Sequence, residues 1–174
     1  MARILVAFYS RSGTTRHAAT QIASALGADL EDIRDCRSRS GIAGYLRSAA
    51  EAGLEAGSDI ERATHDPSGY DLLVLGSPTW AASLSSPVRS FIWRHRDHFK
   101  EVAFFATCGG RGGDRVLEQM ASATGKTPIA SLVLREGPVL GGKANDAVRG
   151  FVATIERTLN GARKGAVPFA VAVT

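Results

Sequence analysis

The stretch Ser10-Arg11-Ser12-Gly13-Thr14-Thr15 is the first place in the chain where residue types and spacing suggest chemistry. Three hydroxyls, at Ser10, Ser12 and Thr15, surround a glycine directly before a helical pattern. A helix N-terminus offers unpaired N–H groups and a partial positive charge. Hydroxyls at its mouth add further donors, which suits a phosphate monoester. A second stretch runs from Gly76 to Ile92 and sets Trp80 in a loop of small residues, with Ser77, Pro78, Thr79 and Ala81 beside it. No helical or strand period buries Trp80, so it is expected to be exposed and to stack on something flat. A third, Thr107-Cys108-Gly109-Gly110-Arg111-Gly112-Gly113, would let backbone N–H groups come close to a ligand.

Several other patterns do not hold up. The dinucleotide fingerprint G-x-G-x-x-G is missing from the first loop. Gly137-Pro138-Val139-Leu140-Gly141-Gly142-Lys143 matches G-x-x-x-x-G-K, but Ala144 stands where a hydroxyl must bind magnesium. A cysteine-phosphatase loop counted from Cys108 needs arginine at the position held by Asp114, and Arg115 misses by one. His95 and His98 make an H-x-x-H pair, but Arg94 and Arg96 beside them oppose a cation, so a solvated basic helix end is expected. The charged run from Arg34 to Arg39 reads the same way. Cys36 and Cys108 are too few for a disulfide framework or a zinc site and are read as reduced thiols.

The elements that must hold these loops follow from periodicity. Apolar runs predict strands at residues 4–9, 30–36, 72–75, 102–106 and 129–134. The third is read as broken by Gly76-Ser77-Pro78. Helical spacing predicts helices at 14–26, 41–56, 87–95, 114–124 and 145–159, with Gly27 ending the first and Pro87 opening the third. Residues 67–69 read as a loop. Short apolar strands alternating with helices imply parallel βαβ units with right-handed crossovers. The three loops then follow the first, third and fourth strands, at the carboxyl ends where open parallel sheets bind ligands.

The length of 174 residues fits one domain, expected over 1–160, with an appendage at 161–174. Ala166 to Val173 is apolar, so this tail is expected to pack on its own domain or on a neighbouring subunit, which would make a homodimer. Apolar residues at 44% and charged residues at 22% argue against disorder. No apolar run approaches the roughly 18 residues of a membrane span, and no signal-peptide pattern opens the chain. A cytoplasmic protein with no membrane partner is expected. The net charge is +4, and 17 of the 21 basic residues are arginine. That excess points to an anionic partner, but no aromatic-and-basic stripe supports nucleic acid.

Taken together, the three loops resemble those of the flavodoxin-like proteins, and the resemblance covers most of the chain. Ser10, Arg11, Ser12, Gly13, Thr14 and Thr15 are similar to the family's [ST]-x-[ST]-G-x-[ST] loop, which binds the phosphate of FMN. Ser77, Pro78, Thr79, Trp80 and Ala81 resemble the second flavin loop, with Trp80 at the position that stacks on the ring. Thr107, Cys108, Gly109 and Gly110 resemble the third, which meets the pyrimidine edge. The resemblance implies a doubly wound α/β fold of the short-chain type, a five-stranded parallel sheet in order 2-1-3-4-5 with helices on both faces. It implies non-covalently bound FMN, no metal and no catalytic side chain. The expected activity is electron transfer to a redox partner protein. The alternative is an NAD(P)H-dependent FMN reductase of quinones or similar acceptors.

Two features depart from electron-shuttle flavodoxins, which are usually strongly acidic. This chain is basic, and its third loop carries Arg111 and Arg115 and lacks the tyrosine that covers the second ring face. Arginines near the flavin, Arg11 or Arg111, would raise its potential relative to acidic shuttles. A flavin-free binding module on the same core is a rival reading.

Overall fold

Side chains of Ile4–Phe8 (β1) alternate between two layers, and that alternation organises the molecule. Leu5 and Ala7 face one core; Val6 and Phe8 face the other. The computed structural model describes residues 2–36, 58–142 and 144–165. Its other elements are α1 (Thr14–Leu26), β2 (Asp29–Asp32), β3 (Leu72–Trp80), β4 (Ser83–Leu84), α2 (Ser86–His95), β5 (Glu101–Cys108), α3 (Gly113–Thr124), β6 (Ser131–Arg135), α4 (Glu136–Leu140) and α5 (Asn145–Gly165). Short 3-10 turns occupy Pro67–Gly69 and Arg96–His98.

The sheet order is β2-β1-β3-β5-β6, all parallel, with β4 antiparallel to the end of β3. This is the expected order of five parallel strands with one two-residue strand added. On one face α1 and α5 bury Ala18, Ala19, Ile22, Phe151, Val152 and Ile155 against Val6, Phe8, Val74 and Phe105. On the other α2 and α3 bury Val88, Phe91, Ile92, Val116 and Met120 against Leu5, Leu75, Phe104 and Ala106. Helices on both faces of a parallel sheet make the doubly wound architecture.

Several elements differ from the sequence reading. β3 does not break at Gly76 but runs on to Trp80. Gly76 pairs with Phe8 on one side and Phe105 on the other, and β1 ends there. Pro78 therefore lies where only β5 flanks the strand, paired with Thr107, so its missing N–H disrupts little. The glycine also serves packing: a Cβ on Gly76 would sit 2.1 Å from the Phe105 ring. β2 is shorter than expected, and the chain beyond it makes only an isolated bridge, Asp35 to Ile60. β6 starts at Ser131 rather than 129, the loop at 67–69 is a 3-10 turn, and α4 was not anticipated. The last helix continues past the expected end at 159 to Gly165, across the expected domain boundary. The helix expected over 41–56 and the apolar tail from 166 lie outside the described residues.

Glu31, in β2, is only 5% exposed, and it ties the approach to β3 onto the sheet. Its carboxylate accepts hydrogen bonds from the backbone N–H groups of Thr64 (3.0 Å) and His65 (2.9 Å) and lies 2.7 Å from His65 Nδ1.

Candidate functional site

Three segments meet at the carboxyl ends of β1, β3 and β5. The first leaves β1 and enters α1 through Gly13, whose φ of 95° is left-handed and suits glycine alone. Gly13 provides no side-chain cap, so the first-turn N–H groups of α1 are left for another acceptor. Ser10 Oγ accepts from Gly13 N at 3.1 Å, which shapes the loop, and Ser12 Oγ lies 3.5 Å from Thr14 Oγ1. Arg11 and Ser12 are exposed at the mouth. Thr14 and Thr15 are buried beneath it.

The second segment is a two-residue hairpin rather than an open loop. β3 ends at Trp80, Ala81 and Ala82 turn the chain, and β4 pairs back, Trp80 to Ser83 and Thr79 to Leu84. Both turn residues have positive φ, 47° and 57°, without being glycine. Paired positive φ is what a tight hairpin demands, and each alanine held there costs roughly 1–2 kcal/mol. Trp80 is 8% exposed, against the expectation of an exposed ring. The continued strand carries it inward, edge-on to Tyr9 with ring centroids 5.4 Å apart. Ser77 is fully buried, and its hydroxyl donates to Pro78 O at 2.8 Å and lies 3.0 Å from Ser85 Oγ, so it supports the hairpin from below. Thr79 Oγ1 is buried and has no hydrogen-bond partner among the described residues. A hydroxyl in that state is costly unless a ligand completes it.

The third segment leaves β5 at Cys108 and enters α3 through Gly112, another left-handed glycine, φ 95°. Cys108 is 2% exposed and its thiol points to Gly110 O at 3.7 Å. Gly109 and Gly110 are exposed. No side chain comes within 4 Å of a Cβ placed on Gly110, and only the Glu136 carboxylate, at 3.6 Å, approaches one placed on Gly109.

Two contacts join the three segments. Thr15 Oγ1 and Thr107 Oγ1 lie 2.7 Å apart, both buried, and tie the first to the third. A Cβ on Gly112 would sit 2.7 Å from Ala82 Cβ and 3.4 Å from Thr79 Cγ2, so the second and third touch there. The structure thus brings the three stretches together at one end of the sheet, with Ser77, Trp80 and Cys108 buried and Ser12, Ala81, Gly109 and Gly110 at the surface. Ala82 and Gly112 lie within the second and third stretches but were given no contact there, and Glu136 lies outside all three. The glycine pair at 112 and 113 was a signal for one of them. Ala81-Ala82 carries none, because tight hairpins usually announce themselves with Asn-Gly.

These features suit a phosphorylated, flat ligand: an uncapped helix start with hydroxyls beside it, an unsatisfied buried hydroxyl at Thr79, and exposed glycine backbone opposite. Among the described residues no cluster of His, Cys, Asp and Glu could hold a metal, and no helix is long and apolar enough to cross a membrane.

A family model described as flavodoxin matches residues 3–155. No curated protein matches the chain. Among solved structures, a flavoprotein from Lactobacillus acidophilus in complex with FMN is 21% identical, with a TM-score of 0.66, covering 83% of this chain and 99% of that one. A protein from Bacteroides uniformis assigned as a flavoprotein is 20% identical, with a TM-score of 0.72, covering 87% and 98%. Two-electron-reduced flavodoxin from Megasphaera elsdenii is 19% identical, with a TM-score of 0.52, covering 84% and 98%.

Proposed function

Because the chain belongs to the flavodoxin family, matched over residues 3–155, we propose that it binds FMN non-covalently and passes electrons through it. The observation that carries this reading is the joining of three segments into one site: Thr15 to Thr107 at 2.7 Å, and Ala82 against Gly112. The FMN complex of the Lactobacillus acidophilus flavoprotein supports it.

Bound FMN would supply one- and two-electron chemistry, which the protein positions and tunes. The phosphate would fall to the first-turn N–H groups of Thr14 and Thr15, with the Ser10 and Ser12 hydroxyls and the Arg11 guanidinium available around it. The Thr15 hydroxyl is shared with Thr107, with either able to donate, so the backbone N–H is the group of Thr15 that the helix start leaves for the phosphate. Thr79 Oγ1 would find its missing partner on the ligand. Trp80 would line the ring from beneath the hairpin, with Ser77 and Pro78 holding its strand and Ala81 at the turn. The exposed backbone at Gly109 and Gly110, next to Thr107 and Cys108, would meet the pyrimidine edge, where N–H donors favour negative charge on the ring.

Purified protein should carry a yellow FMN spectrum or take FMN up on titration. Colourless protein that binds no added FMN would leave only a flavin-free binding module.

One observation favours the second reading, an NAD(P)H-dependent reductase of quinones or similar acceptors. Residues 107–113 hold no aromatic side chain, and Gly109, Gly110 and Arg111 are exposed, so a substrate has room on that side. Turnover of a quinone with NADPH by purified protein identifies the reductase. A carrier turns over only when a separate reductase and a redox partner protein are added.

A further inference from the structure

We infer that Gln119, on α3, is a positioning residue for the ring half of the site, because it clamps the strained Ala81-Ala82 hairpin over the third segment. The inference rests on the flavin reading above.

Two alanines in left-handed backbone will relax unless their surroundings hold them. The hairpin is short: β4 has only two residues and, among the described residues, pairs with β3 alone. Such a pair is marginal by itself. Ser77 holds its base, accepting from Ser85 N at 3.3 Å; what fixes the turn above comes from α3. Gln119 Oε1 accepts a hydrogen bond from Leu84 N at 2.7 Å, in a partly buried setting. Gly112, at the start of the same helix, receives the Ala82 side chain where any larger residue would collide. The hairpin is therefore gripped at both ends by one helix, at Leu84 through the glutamine and at Ala82 through the glycine.

Thr79 stands between these grips. Its methyl packs toward Gly112, and its buried hydroxyl is the unsatisfied group at the site. A released hairpin moves Thr79 and Trp80, the residues expected at the ring. It leaves the phosphate segment in place, because that segment is tied to Thr107 instead. Ring affinity and phosphate affinity should then separate.

The test titrates FMN and riboflavin, which lacks the phosphate, into the wild-type protein and its Gln119→Leu and Gln119→Glu variants. Loss of the acceptor for a buried N–H should weaken both flavins by the same factor, about tenfold, and shift the visible flavin band. Gln119→Glu keeps an acceptor oxygen and should bind like wild type. Unchanged affinities in Gln119→Leu, or a loss confined to FMN, overturn the clamp. If Gln119→Leu does not fold, Gln119→Ala decides: it removes the same acceptor without placing a bulkier apolar group against the hairpin, and it should bind riboflavin about tenfold more weakly. Unchanged riboflavin affinity in that variant overturns the clamp. Failure of the wild-type protein to bind either flavin overturns the underlying flavin reading instead.

Discussion

Gly76 shows how much one missing methyl can matter. Its position between β1 and β5 leaves no room beside the buried Phe105 ring, which a Cβ would meet at 2.1 Å. Gly76→Ala should destabilise the fold by about 3 kcal/mol, since strands on both sides prevent relaxation. A urea unfolding midpoint close to wild type would refute this. His95 carries a different consequence. Burial, and then the Arg94 guanidinium beside it, push its imidazole below the ordinary value, with His98 acting in the same direction and Asp66 and Glu31 opposing. The folded state therefore resists a proton that the unfolded chain accepts below about pH 6.5. Stability from this residue is present above that pH and is lost as pH falls through the folded value. His95→Phe, which keeps a ring against Phe91 (centroids 4.8 Å apart), should flatten the fall in melting temperature between pH 7 and 5. An equally steep fall in the variant would count against it. The carboxyl of Asp66, held low by the Ser68 N–H and hydroxyl, acts in the same sense but in a separate, more acidic window.

Among the elements, β2 depends on one carboxylate. Glu31→Ala would strip an acceptor from the N–H groups of Thr64 and His65, costing about 3 kcal/mol in chemical denaturation. A cost under roughly 1 kcal/mol would mean water replaces the carboxylate without loss. The sequence made elements legible where periodicity ran long. The helix expected at 14–26 is α1 with the same limits, because its apolar face and Gly27 both leave a mark. The strand order was also legible, since it follows from the resemblance carried by three loops. What escaped were features set by tertiary pairing. Gly76-Ser77-Pro78 reads as a break, yet the ladder with β5 carries β3 through it. Trp80 looked exposed only because the strand that buries it had been cut short. β4 and α4 are too short for any period to show. The three stretches were legible as candidates, but the sequence did not show that Ser77 is fully buried beneath the hairpin.

For the whole molecule, the charge of +4 changes the expected partner. Arg11, Arg111, Arg115 and Arg135 are exposed around the carboxyl end of the sheet, where electrons would enter and leave, with Asp114 and Glu136 as counter-charges among them. An acidic partner protein or an anionic nicotinamide donor would be drawn there. Electron-transfer rates with an acidic partner, followed by stopped flow, should fall several-fold as ionic strength rises from about 0.01 to 0.15 M, as the screening length shrinks from about 30 to 8 Å. A rate that rises with salt would point to a basic partner instead. The same cations should hold the flavin potential above that of acidic flavodoxins, and a redox titration giving an equally low value would remove that expectation.

The bond between Thr15 and Thr107 joins residues 92 positions apart. On a ribosome adding 5–20 residues per second, the first hydroxyl waits roughly 5–18 s for the second to be made. A nascent chain holding only the amino-terminal loop has one of the three segments, and a truncated chain ending before β5 has two but lacks Thr107. If the three segments hold the flavin, its loading is a step for a chain extended past β5.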